Sequence, residues 1–264
     1  METKIKKIVV KVGTSTLTHG TGKPNLQRID LLAKALSDLH NSGMSVVLVS
    51  SGAIAVGASK LRMEKKPAAT AEKQAAAAVG QTELMNLYER AFAAYGTDVG
   101  QVLLTRDVTE DTVRKKNVIN TLSTLLDYGV VPIVNENDSV STEELEGLVF
   151  GDNDSLSATV AVLAEADLLV LLSDIDGLYD KDPAQPGARL IDTVEHIGDV
   201  SAYAGSAGSA RGTGGMKTKL LAAQIAISNG IDMIIANGRD PSVLYDLVSG
   251  APVPHTLFKA KEKK

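Results

Sequence analysis

Two observations predict an α/β fold with a mainly parallel sheet covered by helices on both faces. Short, near-continuous apolar runs such as KIVVKVG, SVVLVSSG and DLLVLLSD alternate with longer amphipathic or alanine-rich segments. Such runs describe strands buried on both faces, and a strand of that kind needs a helix layer on each side. Glycine and polar clusters also follow several of the runs, where the chain would leave a strand and turn into a helix.

KIVVKVG reads as the first strand, with β-branched residues in a short run ended by glycine. NLQRIDLLAKALSDLHNSG follows as an amphipathic helix, with Ile29, Leu32, Leu36 and Leu39 three and four apart and Gly43 as its stop. SVVLVSSG is a second buried strand. TAEKQAAAAVGQTELMNLYERAFAAYG is rich enough in Ala, Leu and Glu for a long helix, expected to be interrupted or bent near Gly80. The alternation continues with VGQVLLT as strand, DTVRKKNVINTLSTLLDYG as helix, VVPIVNEND as strand, DNDSLSATVAVLAEA as helix and DLLVLLSD as strand. GMKTKLLAAQIAISNG then reads as helix, IDMIIANG as strand and PSVLYDLVSG as a last short helix. The irregular segments NENDSVSTEELEGLVFGDND and SAYAGSAGSARGTGG do not read as linkers, because regular patterns resume on both sides. One domain spanning 1–264 is expected.

Composition removes several functions. A formal net charge of -5 and only 3% aromatic residues argue against a nucleic-acid binder, which needs a basic face and stacking platforms. With no cysteine there is no disulfide, thiolate metal site or cysteine nucleophile, which fits a reducing cytoplasm. The apolar patch in METKIKKIVVKVG is too short for a secretory leader, and no run approaches a membrane span, so a soluble intracellular protein without membrane contact is expected. His19, His40, His196 and His255 lie outside every polar strand end, so a histidine base or His-centred metal site is not expected. No Gly-x-Ser-x-Gly elbow is present, and no Gly-x-Gly-x-x-Gly fingerprint follows the first strand.

In an open parallel sheet, ligands collect outside the carboxyl ends of the strands. Four strand ends are polar there: KVGTS (Lys11 to Ser15), SSGAIAVG (Ser50 to Gly57), NEND (Asn135 to Asp138) and SDIDGLYDKDP (Ser173 to Pro183). A lysine near the end of a buried strand must reach water or an anion, so Lys11 is either a snorkelling side chain or part of an anion site with Gly13. Gly52 stands between a strand and a helix start, where backbone amides favour a carboxylate or phosphate; a plain turn is the alternative. In GDND one residue suffices as a helix cap, yet Asp152, Asn153 and Asp154 crowd together with Glu136 and Asp138 upstream. That much negative charge needs lysines or a hard cation nearby. SDIDGLYDKDP reads either as a turn-rich connection or as a nucleotide-binding loop. GTGGMKTKL is not a Walker loop, because Arg211 and Met216 stand where its glycines belong and no strand precedes it. Lysines, glycine amides and carboxylates remain, which is the equipment for moving a phosphoryl group.

Taken in order, VVKVGTSTLT, VSSGAIAVG, KQAAAAVGQTEL, GQVLLTRDV, VPIVNENDSV, FGDNDSLSA, LLSDIDGLYDKDP and GTGGMKTKL make the chain resemble the glutamate 5-kinases of the amino acid kinase family, over almost its whole length. The resemblance implies an αβα sandwich that binds glutamate over its amino-terminal half and ATP over its carboxy-terminal half. It implies that Lys11 and Lys219 bracket the transferring phosphoryl group while Asp154 holds both ammonium groups. Ser51, Asp138 and Asn153 would hold glutamate, with Gly52 and Ala53 offering backbone contacts. Ser173 and Asp174 would lie against ATP, near Lys11 and Gly13, and the run Thr213, Gly214, Gly215, Met216, Lys217, Thr218 and Lys219 would wrap its phosphates. Mg²⁺ bound to ATP, feedback inhibition by proline and a homo-oligomer, dimer or tetramer, are implied with it. Two departures stand out. Members commonly append a PUA domain, which is not expected here, and some carry a lysine where this chain has Val149.

Overall fold

Strand β1 (Lys7–Val12) lies at the middle of an eight-stranded sheet in the structure, a computed structural model that describes residues 5–105, 108, 110–140, 153–200 and 215–261. The other strands are β2 (Ser45–Ser50), β3 (Val99–Leu104), β4 (Val131–Glu136), β5 (Leu168–Ser173), β6 (Thr193–Val194), β7 (Asp232–Asn237) and β8 (His255–Phe258). They run in the order β3-β4-β2-β1-β5-β7-β8-β6, and each pairing is parallel except the antiparallel β7–β8. The parallel α/β expectation therefore holds. Neither β6 nor β8 is legible in the sequence, because strands of two and four residues are too short to show a period of two.

Helices α1 (Thr14–Leu17), α2 (Leu26–Asn41), α3 (Ala53–Lys60), α4 (Thr70–Ala93), α5 (Thr112–Asp127), α6 (Asn153–Leu163), α7 (Met216–Ser228) and α8 (Val243–Ser249) complete the fold, with a 3₁₀ turn at Ile197–Asp199. The strand pleat sends alternate residues to opposite faces. Ile8, Val10 and Val12 of β1 join a core with Leu32 and Leu36 of α2, Leu84, Tyr88 and Phe92 of α4 and Leu244 of α8. Val9 points the other way, into a core with Leu122 of α5, Val160 of α6 and Leu220 of α7. Lys11 shares the parity of Val9. Its side chain is thus sent toward the α6 and α7 layer before any functional consideration enters.

Helix α2 has its four predicted apolar positions buried, accepts a cap from Arg28 N on Asn25 Oδ1 at 3.2 Å, and is followed by Gly43 at φ +99°. Helix α4, in contrast, runs uninterrupted through Gly80. The glycine serves a crossing instead of a break: a Cβ at Gly80 would lie 1.8 Å from Ala53 O, and one at Gly57 of α3 would lie 1.7 Å from Ala76 O. Backbone meets backbone there, which only a residue without a side chain permits. Among the described residues no helix is long and apolar enough to cross a membrane.

Candidate active site

The carboxyl ends of β1, β2, β4 and β5 open on one edge of the sheet, as parallel pairing requires. At that edge the chain brings together residues far apart in sequence. Lys11 Nζ lies 2.6 Å from Asp154 Oδ1, and Lys219 Nζ lies 3.0 Å from Asp154 Oδ2. Asp154 is fully buried, and each lysine is only 7% exposed. Burial alone would push the Asp154 carboxyl upward, but the two ammonium groups outweigh it and hold the group well below the usual carboxylate range. Thr218 Oγ1 adds a hydrogen bond to Asp154 Oδ2 at 3.1 Å and also reaches Gly215 O at 2.8 Å.

Local structure explains how each arrives. Lys11 is the penultimate residue of β1, and Gly13 beside it would carry a Cβ only 3.7 Å from the Lys11 ammonium, so the turn into α1 stays close to the charge. Asp154 occupies the first turn of α6, where the helix dipole favours a negative charge. Lys219 stands in the first turn of α7, in which Gly215 is the cap and no side chain caps the helix. Met216 is buried and Lys217 is exposed, so only the second of the two lysines in MKTK joins the carboxylate. Thr213, Gly214, Asp152 and Val149 lie outside the described residues.

Beside the triad, Asn153 makes a polar cluster. Its Nδ2 donates to Ser51 Oγ at 2.7 Å, and reaches Asn135 Oδ1 at 3.2 Å and Ser50 O at 3.3 Å. Ser51 follows β2 and its amide donates to Val12 O, tying the ends of β1 and β2. Gly52 then takes φ +99°, a left-handed turn that suits glycine, and Ala53 opens α3 without any side-chain cap. Behind the turn, Ser50 Oγ and Tyr88 OH share a buried hydrogen bond of 2.8 Å. Burial pushes the Tyr88 phenol upward, with the Ser50 bond opposing, so it stays protonated at neutral pH.

Ala53 and Asp138 line a cavity of about 560 Å³ together with Gln81 and Met85 of α4, Gln101 of β3 and Glu136 of β4. Asp138 is 8% exposed. A larger cavity, about 650 Å³, is bordered by Glu195, His196, Ser228 and Lys259 and shares no residue with the triad or the Asn153 cluster; the polar chemistry favours the first.

On the other side, Ser173 ends β5 and is 8% exposed, with its hydroxyl donating to Asp174 Oδ1 at 3.2 Å. Asp174 itself is exposed. The nearby Asp176 carboxylate accepts from Asn237 Nδ2 at 2.8 Å and from Tyr179 OH at 3.1 Å, which ties the loop after β5 to the end of β7. Part of SDIDGLYDKDP is therefore a structural clasp. Of the acidic residues expected to crowd around NEND and GDND, Asp154 meets Lys11 and Lys219, and among the described residues no three His, Asp or Glu side chains gather closely enough to hold a metal ion.

Sequence reasoning missed Gln81, Tyr88 and the turn of Thr218 onto Asp154, and it named Asn135 only as part of a polar strand end. One signal was available for the first: Gln81 interrupts the apolar spacing of Ala77, Leu84 and Tyr88.

Comparison with known proteins agrees with the geometry. Residues 6–237 match the model of the Amino acid kinase family. The chain is 55% identical over 260 residues to a glutamate 5-kinase from Clostridium perfringens, covering 97% of this chain and 96% of that protein. It is 50% identical over 262 residues to one from Listeria innocua, covering 98% and 95%. Among solved structures, a UMP kinase from Ureaplasma parvum superposes with TM-score 0.66 at 16% identity, covering 97% of this chain and 99% of that one. A carbamate kinase from Giardia lamblia bound to AMP-PNP superposes with TM-score 0.68 at 15% identity, covering 97% and 100%. These two likenesses concern the fold. With a family match over most of its length and relatives at 50–55% identity, the chain belongs to the amino acid kinase family.

Proposed function

We infer that the chain transfers the γ-phosphoryl group of ATP to the γ-carboxylate of L-glutamate, giving L-glutamyl 5-phosphate, the first step of proline biosynthesis. One observation carries the chemistry: two ammonium groups from opposite ends of the chain are held on a single buried carboxylate, 2.6 and 3.0 Å away, at the carboxyl edge of the sheet. The relatives supply the substrate.

The reaction needs charge more than acid or base. A carboxylate with an ordinary pKa of about 4.3 is already an anion at neutral pH, so no base has to create the nucleophile. The obstacle is repulsion. At about 4 Å and an effective dielectric near 20, one pair of unit charges costs about 4 kcal/mol. Lys11, Lys219 and Asp154 sum to one positive charge, placed by burial where little water screens it. In this reading Lys11 and Lys219 track the charge of the phosphoryl group as it moves in line from the leaving oxygen to the glutamate oxygen, and Asp154 keeps their spacing. Ser51, Gly52, Ala53, Asp138 and Asn153 hold glutamate. Ser173, Asp174, Gly13 and the run from Thr213 to Lys219 hold the nucleotide.

Carried on the triphosphate, Mg²⁺ would supply further positive charge to the transfer. Because Asp154 is committed to two lysines, the residues described suit an ion held by phosphate oxygens and water, as Mg²⁺ commonly is. Feedback inhibition by proline, assembly into a homo-oligomer and action in the cytoplasm complete the proposal on family grounds.

The test is trapping of the acyl phosphate with hydroxylamine, using glutamate, aspartate and N-acetylglutamate as acceptors with MgATP. Hydroxamate should form with glutamate in preference to the others. A preference for N-acetylglutamate, or ATP turnover without hydroxamate, would overturn the assignment.

A further inference from the structure

Gln81 places a carboxamide in α4 where helical spacing calls for an apolar side chain: Ala77, Leu84 and Tyr88 on the same stripe are 3%, 1% and 0% exposed. Its Oε1 accepts a hydrogen bond from Asn135 Nδ2 at 2.8 Å. We propose that Gln81 is a positioning residue that, by holding the Asn135 nitrogen, steadies the Asn135 and Asn153 amides and so keeps the Asn153 oxygen presented to the free, protonated amine of the acceptor. This deepens the reading that Asn153 and Ser51 hold an amino acid, and it rests on it.

An amide side chain can be turned end for end, but two groups in this network cannot. The Glu136 backbone N–H only donates, and it donates to Asn135 Oδ1 at 2.9 Å. The Ser50 backbone carbonyl only accepts, and it lies 3.3 Å from Asn153 Nδ2. Asn135 must then give its nitrogen to Gln81 and its oxygen to Glu136 and Asn153. Asn153 in turn must direct its nitrogen at Asn135, Ser50 and Ser51. What is left over defines the ligand. Among the described residues, Asn153 Oδ1 is a buried acceptor without a hydrogen-bond partner. Ser51, whose oxygen already accepts from Asn153, keeps its own proton to donate. An acceptor beside a donor suits the ammonium and the carboxylate of one amino acid, and a charged donor makes the stronger bond to the Asn153 oxygen.

Without the Gln81 oxygen, the Asn135 nitrogen loses its acceptor. The Glu136 N–H and the Ser50 carbonyl still forbid an inversion, but the Asn135 amide is then held on one side only, and the Asn153 oxygen it supports meets an ammonium group less well. Glutarate, which is glutamate without the amine, isolates this effect, because only glutamate feels the change.

The experiment compares the KM of glutamate with the KI of glutarate as a competitive inhibitor, in the parent protein, Gln81→Leu and Gln81→Glu. In Gln81→Leu the glutamate KM should rise roughly tenfold, the scale of one lost hydrogen bond, while the glutarate KI and the KM of ATP stay within about twofold. The preference for the amine should therefore fall. Gln81→Glu keeps an acceptor oxygen for Asn135 and should hold or raise that preference, which keeps the test decisive if Gln81→Leu fails to fold. Equal weakening of glutamate and glutarate in Gln81→Leu, or a lost preference in Gln81→Glu, would overturn the proposal. A parent protein that does not phosphorylate glutamate would instead remove the functional reading beneath it.

Discussion

Replacing Lys219 by methionine removes one charge while keeping most of the volume of a side chain that is 7% exposed. Asp154 does not become an orphan, because Lys11 Nζ remains 2.6 Å from its Oδ1. The fold should therefore survive, with a cooperative thermal transition. Catalysis should not. The triad falls from one net positive charge to none, and a unit charge about 4 Å from the moving phosphoryl group at an effective dielectric near 20 is worth about 4 kcal/mol. At about 1.36 kcal/mol per factor of ten, turnover should drop roughly a thousandfold. Hydroxamate formation at saturating glutamate and MgATP measures it, with circular dichroism on the same samples to establish folding. A folded Lys219→Met protein within about tenfold of the parent rate would refute the idea that this charge stabilises the transfer.

Two further outcomes follow from packing and charge. Gly80→Ala would put a Cβ 1.8 Å from Ala53 O, forcing α3 and α4 apart. A loss of about 3 kcal/mol in chemical denaturation is expected, with a raised glutamate KM because α3 begins at the Gly52 turn; an unchanged denaturation midpoint would contradict the close crossing. Asp154 holds its carboxyl below the usual range, since the two lysines outweigh burial. A folded-state value depressed below the unfolded one, about 3.9, contributes stability that is complete above that value and is lost as pH falls toward the folded value. The stability gap between the parent and Asp154→Asn should accordingly shrink on acidification below about pH 4, whereas a constant gap would mean that the carboxylate charge is not what the lysines require.

The strands and helices that carry the site are legible because their signals are local. In KIVVKVG and DLLVLLSD a short apolar run marks a buried strand, and in NLQRIDLLAKAL the three-and-four spacing marks a helix. Gly80 shows the limit. Propensity alone reads a mid-helix glycine as a weak point, whereas its use depends on Ala53, which the chain brings against it from a different helix. Gln81 and Tyr88 of α4 were opaque for the same reason, since their partners, Asn135 and Ser50, belong to strands β4 and β2. The strand-end rule placed Lys11 and Ser51 at one edge, but it could not tell which carboxylate of NEND and GDND would meet the lysines; only the family resemblance pointed to Asp154.

By itself, then, the sequence determined the alternation of strands and helices, the parallel sheet and the edge at which polar residues collect. It did so because backbone periodicity is written in neighbours two to four residues apart. Only the tertiary structure put Lys11 and Lys219 at 2.6 and 3.0 Å from Asp154, carried α4 unbroken over α3, and set Gln81 against Asn135 and Asn135 against Asn153. Those pairings depend on the path of the chain between distant segments, and hydrogen bonds and ion pairs form only where that path brings donor and acceptor within about 3 Å.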